Sequence, residues 1–358
     1  MATALQRRIL ARIREAGPIS VAEYMTLCLL DPVDGYYPTR DPLGAGGDFV
    51  TAPEISQMFG EALGLWVVQS WQDLGRPSEF NLVELGPGRG VMMADMLRAL
   101  SVEPACRAAC RIVLIEASAA LQAVQARTLG PTRADVIWVD RLEAVDDAPC
   151  LVVGNEYLDC LPIRQFVRAD GAWSERRVGA DGDALRFEMD GRAVPASVAA
   201  DLPDAEDGAL LEVCPAVDLL AAHLGERFAA TPGSALFIDY GPAETELADT
   251  LQAVKAHSKV GVFDAPGDTD LTARVDFARL KQAAEAEGLA VHGPRPQNAF
   301  LRALGIEARA VALIRANAEA KPKLMRQLHR LLDDGEMGSL FKAICLSAPG
   351  LPEPVGFS

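Results

Sequence analysis

Asn81-Leu82-Val83-Glu84-Leu85-Gly86-Pro87-Gly88-Arg89-Gly90-Val91 reads as a strand, a sharp turn and the start of a helix. Leu82, Val83 and Leu85, interrupted by Glu84, make a short apolar run bounded by turn residues. The glycines then let the backbone turn tightly and approach a ligand. From Val91 to Leu100 the apolar residues Met93, Met96, Leu97 and Leu100 recur at i, i+3, i+4 and i+7, one face of a helix. Strand, glycine turn and helix form the first unit of a nucleotide-binding α/β sheet, with the free amides of the helix N-terminus aimed at the ligand.

The glycine spacing narrows the ligand. A dinucleotide fingerprint, G-x-G-x-x-G, needs its third glycine at position 91, where Val91 stands. The glycines fall at 86, 88 and 90, two residues after Glu84. Glu-x-Gly-x-Gly-x-Gly resembles the first motif of class I S-adenosylmethionine-dependent methyltransferases. A dinucleotide enzyme and a purely structural turn remain as alternatives at this point.

Composition sets outer limits. A chain of 358 residues has room for a core sheet with insertions. Half of it is apolar and no apolar run approaches the roughly 20 residues of a membrane span. A formal charge of −16 with no cluster of Lys and Arg argues against nucleic acid and for a basic partner. The seven cysteines include no C-x-x-C pair and read as reduced core residues of a cytosolic protein. Four scattered histidines give no reason to expect a metal site.

The chain divides into residues 1–77, N-terminal helices and a lid loop; 78–241, a core with a β-hairpin insertion near 163–200; and 242–358, the end of the core sheet with helical insertions. Residues 4–16 form an amphipathic helix whose four arginines faintly suggest a transit peptide, a reading set below a structural one. Ser20 and Glu23 suit a capping box. The Gly- and Pro-rich stretch 31–56 is expected to be a lid, with Asp48 and Thr51 facing the cofactor. Arg111–Glu116 is the second strand, and Glu116 at its end is placed to hold ribose hydroxyls. Val136–Asp140 is the third, with Asp140 near the adenine edge. Cys150–Gly154 is the fourth and runs into Asn155-Glu156, where α/β sheets open toward substrate. Asp170-Gly171 and Asp181-Gly182 mark hairpin turns. Ala235–Gly241 is a fifth strand, 242–272 is irregular, 298–334 is helical, and Leu340–Leu346 is the last strand. The expected fold is a seven-stranded, mostly parallel, doubly wound sheet.

Several further segments carry a more specific likeness. They are Asp31-Pro32 with Gly35-Tyr36-Tyr37, Gly47 to Ser56, Glu84 to Gly90, Asn155-Glu156 with Asp159 and Leu161-Pro162, Ile238 to Gly241, Asp270-Leu271-Thr272 and Met337-Gly338 with Leu340-Phe341-Lys342. With them the chain resembles the protein-arginine methyltransferase family of the mitochondrial complex I assembly factor and its bacterial relatives. Arg274, where the family pattern has His, and Cys214, where it has Ser, depart from it. The resemblance implies S-adenosylmethionine held by Glu84, Gly86, Pro87, Gly88 and Gly90. It also implies symmetric dimethylation of an arginine in a subunit of the respiratory NADH dehydrogenase.

For that chemistry Glu156 is the first candidate to clamp a guanidinium, with Asp159 second and Asn155 beside them. His257 is a weaker candidate to receive the released proton. A rival class stays open: an assembly factor that binds its partner and whose methyl transfer is vestigial. The expected compartment is the bacterial cytoplasm, and the oligomeric state is not fixed, with a homodimer kept open.

Overall fold

The computed structural model describes residues 2–39, 51–194 and 202–357. Seven strands form the central sheet: β1 (Phe80–Leu85), β2 (Cys110–Ile115), β3 (Val136–Val139), β4 (Cys150–Asn155), β5 (Gly233–Tyr240), β6 (Ala290–Pro296) and β7 (Phe341–Ser347). Their order is β6-β7-β5-β4-β1-β2-β3. β1 to β5 run parallel and β7 is antiparallel to both of its neighbours. Every residue of β1 and β4 is buried, as parallel strands covered on both faces require.

β1 pairs in parallel with β2 on one side and β4 on the other, so the order in which the chain adds strands to the sheet reverses beside it. Leu85 lies opposite Ile115 and Gly154, which brings the carboxyl ends of three strands level. That crevice is where open α/β sheets bind ligands. Helices Gln57–Asp73, Val91–Ala99 and Gln297–Ala303 cover one face, through Trp66, Met93, Met96 and Phe300. Helices Pro215–Ala230 and Phe277–Ala286 cover the other, through Leu224, Phe228, Phe277 and Leu280.

A second sheet joins distant parts of the chain. Its strands are Ile19–Ser20, Arg164–Ala169, Ala172–Asp181, Ala184–Ala193 and Leu210–Val213. The hairpin turns fall at Asp170-Gly171, both with positive φ, and at Gly182. Helix Ala4–Ala16, capped by Thr3, buries Leu5, Ile9, Leu10 and Ile13 in a cluster with Tyr24, Val178, Leu185 and Leu271. Ser20 caps Val21–Leu30 by accepting from the Glu23 amide at 3.0 Å.

Two expectations change. Residues 242–272 are not irregular throughout, because Gln252–Lys255, Ser258–Val260 and Asp270–Thr272 form a three-stranded antiparallel sheet. Strands of three or four residues are too short to show a period of two. The helical stretch 298–334 is three helices, Gln297–Ala303, Ile306–Ala316 and Lys321–Leu332. Gly305 in the left-handed region and Pro322 in a first turn divide them.

Helices Gln57–Asp73 and Val91–Ala99 touch almost backbone to backbone. A Cβ on Gly64 would lie 2.7 Å from the Met96 carbonyl oxygen and 2.6 Å from the Ala99 methyl. Since the second of these helices starts at the glycine turn, their contact sets the position of that turn. We expect Gly64→Leu to lower stability by about 1–3 kcal/mol, the usual cost of overpacking. Gly130, with open space around its Cβ position, is the control. Urea midpoints of Gly64→Leu and Gly130→Ala measure the difference.

Candidate active site

The turn after β1 is built from conformations that favour glycine. Gly86, Gly88 and Gly90 have φ of 60°, 52° and 77°. The Gly90 amide donates to the Pro87 carbonyl at 2.7 Å, closing the turn, and Gly90 caps Val91–Ala99. At Gly86 a Cβ would sit 3.2 Å from the Tyr157 ring. The backbone therefore borders an open cleft of about 410 Å³.

Gln125, fully buried in helix Ala119–Leu129, organises the far side of the turn. Its side-chain amide donates to the Gly88 carbonyl at 2.8 Å and to Glu116 Oε2 at 3.1 Å. Its own carbonyl accepts from the Trp138 indole at 2.8 Å. Glu116, just past β2, also accepts from the Ser118 amide at 2.7 Å, and burial raises its carboxyl above the usual range. Asp140, just past β3, lines the cleft from an exposed position and faces Arg141 at 3.2 Å.

The loop after β4 supplies a second wall. Glu156 has φ of 51°, a region that costs a non-glycine residue about 1–3 kcal/mol. Its amide donates to Ile238 O at 2.9 Å. Its Oε1 accepts from the Ala52 amide at 2.9 Å and the Asn155 side-chain amide at 3.1 Å. Ala52 opens the short helix Ala52–Ile55, for which Thr51 is the N-cap. Burial raises the Glu156 carboxyl, against the pull of these donors and of the Arg330 charge.

Asp159 is buried, and loss of water together with Asp239, Asp270 and Glu156 drives its carboxyl well above the carboxylate range. Asp239 on β5 is wholly buried, and its carboxyl is raised by burial to about 7. One of its oxygens accepts from the amides of Leu158 at 2.8 Å and Asp159 at 3.2 Å, the other from Tyr240 at 2.8 Å. Tyr37 donates to Asp270 at 3.1 Å, and Tyr240 donates to Thr272 at 2.7 Å. Among the described residues, no Lys or Arg forms an ion pair with Glu156, Asp159 or Asp239.

Of the residues singled out in the sequence, Glu84, Gly86, Pro87, Gly88, Glu116, Asp140, Thr51, Asn155, Glu156 and Asp159 all line this cleft. Gly90 sits one position before the lining residue Val91. Asp48 lies outside the described residues. His257 is in the exposed turn between Gln252–Lys255 and Ser258–Val260, and is not among the lining residues. Sequence reasoning passed over Gln125, Asp239 and the pair Tyr37–Asp270. Asp239 carried a signal: a lone acid in a strand that is otherwise apolar.

The cleft suits S-adenosylmethionine. Glu84 Oε2 and Asn155 Oδ1 are buried oxygens without a hydrogen-bond partner, in residues that line the cleft, and a ligand able to donate would satisfy them. Such a strand order, with a glycine turn and acids at the ends of β1 and β2, defines a class I S-adenosylmethionine-dependent methyltransferase. Residues 62–295 match the family described as "Putative S-adenosyl-L-methionine-dependent methyltransferase", and the chain belongs to that family. The mouse protein arginine methyltransferase NDUFAF7, mitochondrial, is 37% identical over 96% of this chain and 84% of its own. The human protein of the same name is 35% identical, over 96% and 83%. The crystal structure of a Burkholderia thailandensis protein bound to S-adenosyl-homocysteine superposes with a TM-score of 0.87. It is 31% identical and covers 99% of this chain and 94% of that one. Its ligand and the family match make S-adenosylmethionine the cofactor.

The cytoplasmic expectation is corrected by these relatives, whose names place them in mitochondria. Free thiols report a reducing compartment without saying which one. No described helix is long and apolar enough to cross a membrane.

Glu84 provides a direct check on the cleft floor. Burial alone pushes its carboxyl up to about 8. Between the ordinary carboxylate pKa of ~4.3 and that value, the folded ligand-free protein holds a proton that the unfolded chain has released. Stability from this group is therefore complete below the lower pH and is lost as pH rises toward the upper. Glu84→Gln removes that slope. We expect the variant to gain thermal stability over the parent at pH 8 and to show no such gain at pH 4, measured without ligand.

Proposed function

We propose that the chain methylates the guanidino group of an arginine in a protein substrate. The observation that carries this reading is the half-buried Glu156 and buried Asp159 lining one end of the cofactor cleft, with the buried Asp239 bonded to the Asp159 amide and no described Lys or Arg in an ion pair with any of the three. Charged groups inside proteins are paired or neutralised. Burial raises all three carboxyls, which is the penalty that a bound cation would offset. An arginine side chain, cationic at any pH of interest, would bring the missing charge. The names of the mouse and human relatives agree with it.

In this reading Glu84, the Gly86–Gly90 turn and Glu116 hold the cofactor, with Asp140 and Thr51 at its edges. S-adenosylmethionine supplies an electrophilic methyl group on a sulfonium. Glu156 takes two N–H groups of the guanidinium in a fork and turns the remaining nitrogen into line. Asn155 fixes the Glu156 carboxylate through the 3.1 Å hydrogen bond. As the nitrogen–methyl bond forms, the methyl–sulfur bond breaks and S-adenosylhomocysteine leaves as a neutral sulfide. Asp159, ionised when the arginine cation is bound, receives the proton that the alkylated nitrogen sheds. Most of the acceleration comes from holding the two reactants in line. Symmetric dimethylation of a subunit of the respiratory NADH dehydrogenase is the first target to test.

Glu156→Gln keeps the size of the side chain and an acceptor for the Ala52 amide, but loses the charge. Truncating one partner of a desolvated charge pair costs about 2–5 kcal/mol, and the lower figure is roughly a 30-fold fall in rate. We expect methyl transfer to an identified protein target to fall by that factor or more, with S-adenosylhomocysteine affinity by calorimetry unchanged. Unchanged turnover moves the clamp to Asp159. Partner binding without any turnover in the parent protein favours the assembly-factor reading.

Gly88→Val tests the other half. A branched side chain on a residue with φ of 52° strains the turn and fills the space beside the ligand. The expected result is a folded protein with no calorimetric binding of S-adenosylhomocysteine. Retained binding would place the cofactor elsewhere.

A further inference from the structure

The expectation that a chain of formal charge −16 holds no cluster of Lys and Arg fails at helix Lys321–Leu332, which carries Lys321, Lys323, Arg326 and Arg330 and no acid. Leu324, Leu331 and Leu332 turn inward to the core. Lys323, Arg326 and Arg330 follow one another at i, i+3 and i+7, a single stripe of the helix, and all three are exposed. None of Lys321, Lys323 and Arg326 forms an ion pair with a described residue. Of the acids that follow, Asp333 and Asp334 are already engaged. Asp333 accepts from the Gly335 amide at 2.9 Å and faces His329 at 3.4 Å, while Asp334 accepts from Asn298 at 2.7 Å.

The stripe leads to the cleft. Gln327, next to Arg326, donates to the carbonyl of Ile55. Ile55 closes the short helix whose first amide binds Glu156. Arg330 lies near enough to Glu156 for its charge to favour the ionised carboxylate. Cations without partners at this spacing repel one another and weaken their own helix. Their placement beside a carboxylate-lined cleft, in a chain of formal charge −16, gives the approach to the site a charge opposite to that of the chain as a whole. Complementary charge of this kind orients an incoming partner and speeds its encounter.

We propose that the stripe Lys323–Arg326–Arg330 is a docking track for an acidic segment of the protein substrate, flanking the arginine that enters the cleft. This rests on the arginine reading above. The carboxyl pocket would select the arginine, and the track would select its neighbours in the substrate chain.

The test uses fluorescent peptides with one central arginine, flanked by aspartates, by Gly-Ser or by lysines. They are titrated against the full chain saturated with S-adenosylhomocysteine. The expected order of affinity is acidic, then neutral, then basic, with the acidic preference fading as salt rises. Lys323→Glu/Arg326→Glu should weaken the acidic peptide about tenfold, as the loss and reversal of two exposed pairs implies. The neutral peptide and S-adenosylhomocysteine should bind as before. Equal affinity of acidic and neutral peptides overturns the track, as does equal weakening of both in the double variant. A single-stranded oligonucleotide of the same charge that binds more tightly than the acidic peptide also overturns it. Alanine-centred peptides separate the two readings. If they bind as well as arginine ones yet keep the acidic preference, the track stands and the arginine reading falls.

Discussion

The Asp239 carboxylate, buried at the end of β5, accepts three backbone amides, and the acceptor side of the cleft depends on that arrangement. Two of the amides belong to Leu158 and Asp159, so the strand fixes the loop that carries Glu156 and Asp159. The loop needs such an anchor because Glu156 sits at positive φ, where a side chain with a Cβ is strained. Buried main-chain donors are costly to leave unpaired, so the anchor acid is satisfied by the same groups that it positions. Burial raises the Asp159 carboxyl, and the neighbouring Asp239, Asp270 and Glu156 charges raise it further.

The two sides of the cleft differ in kind. The cofactor side is made by local chemistry: a glycine turn, a helix N-terminus and acids at the ends of adjacent parallel strands. Gln125 ties these pieces together by spending both ends of its amide on Gly88, Glu116 and Trp138. The acceptor side is made by tertiary contact. Tyr37, the Ala52 amide, Glu156, Asp159, Asp239 and Asp270 come from five separate stretches of chain.

That difference explains how much was legible in advance. The Glu84–Gly90 turn could be read because each residue there acts through its own backbone conformation. Glu116 and Asn155-Glu156 could be placed because strand ends are visible as breaks in apolar runs. Gln125 gave no signal, since a polar residue in a weakly amphipathic helix looks like a surface residue until its burial is known. Tyr37 and Asp270 stood in quoted motifs, but their pairing spans 233 positions and no local pattern encodes it. The short sheet around Gln252–Thr272 escaped because its strands end before an alternation can show.

Helix Ala4–Ala16, the hairpins after β4 and the strand Asp270–Thr272 share one apolar cluster. This gives the two sides of the cleft different places in the order of assembly. β1, its turn and β2 need contacts over only a few tens of residues, and such contacts close first. The acceptor wall waits for residue 37 to meet residue 270, across most of the chain. The cofactor crevice thus closes on contacts of shorter range than the acceptor wall does. Competence to receive a substrate is then a global property of the fold, tied to the N-terminal cluster as well as to the core sheet.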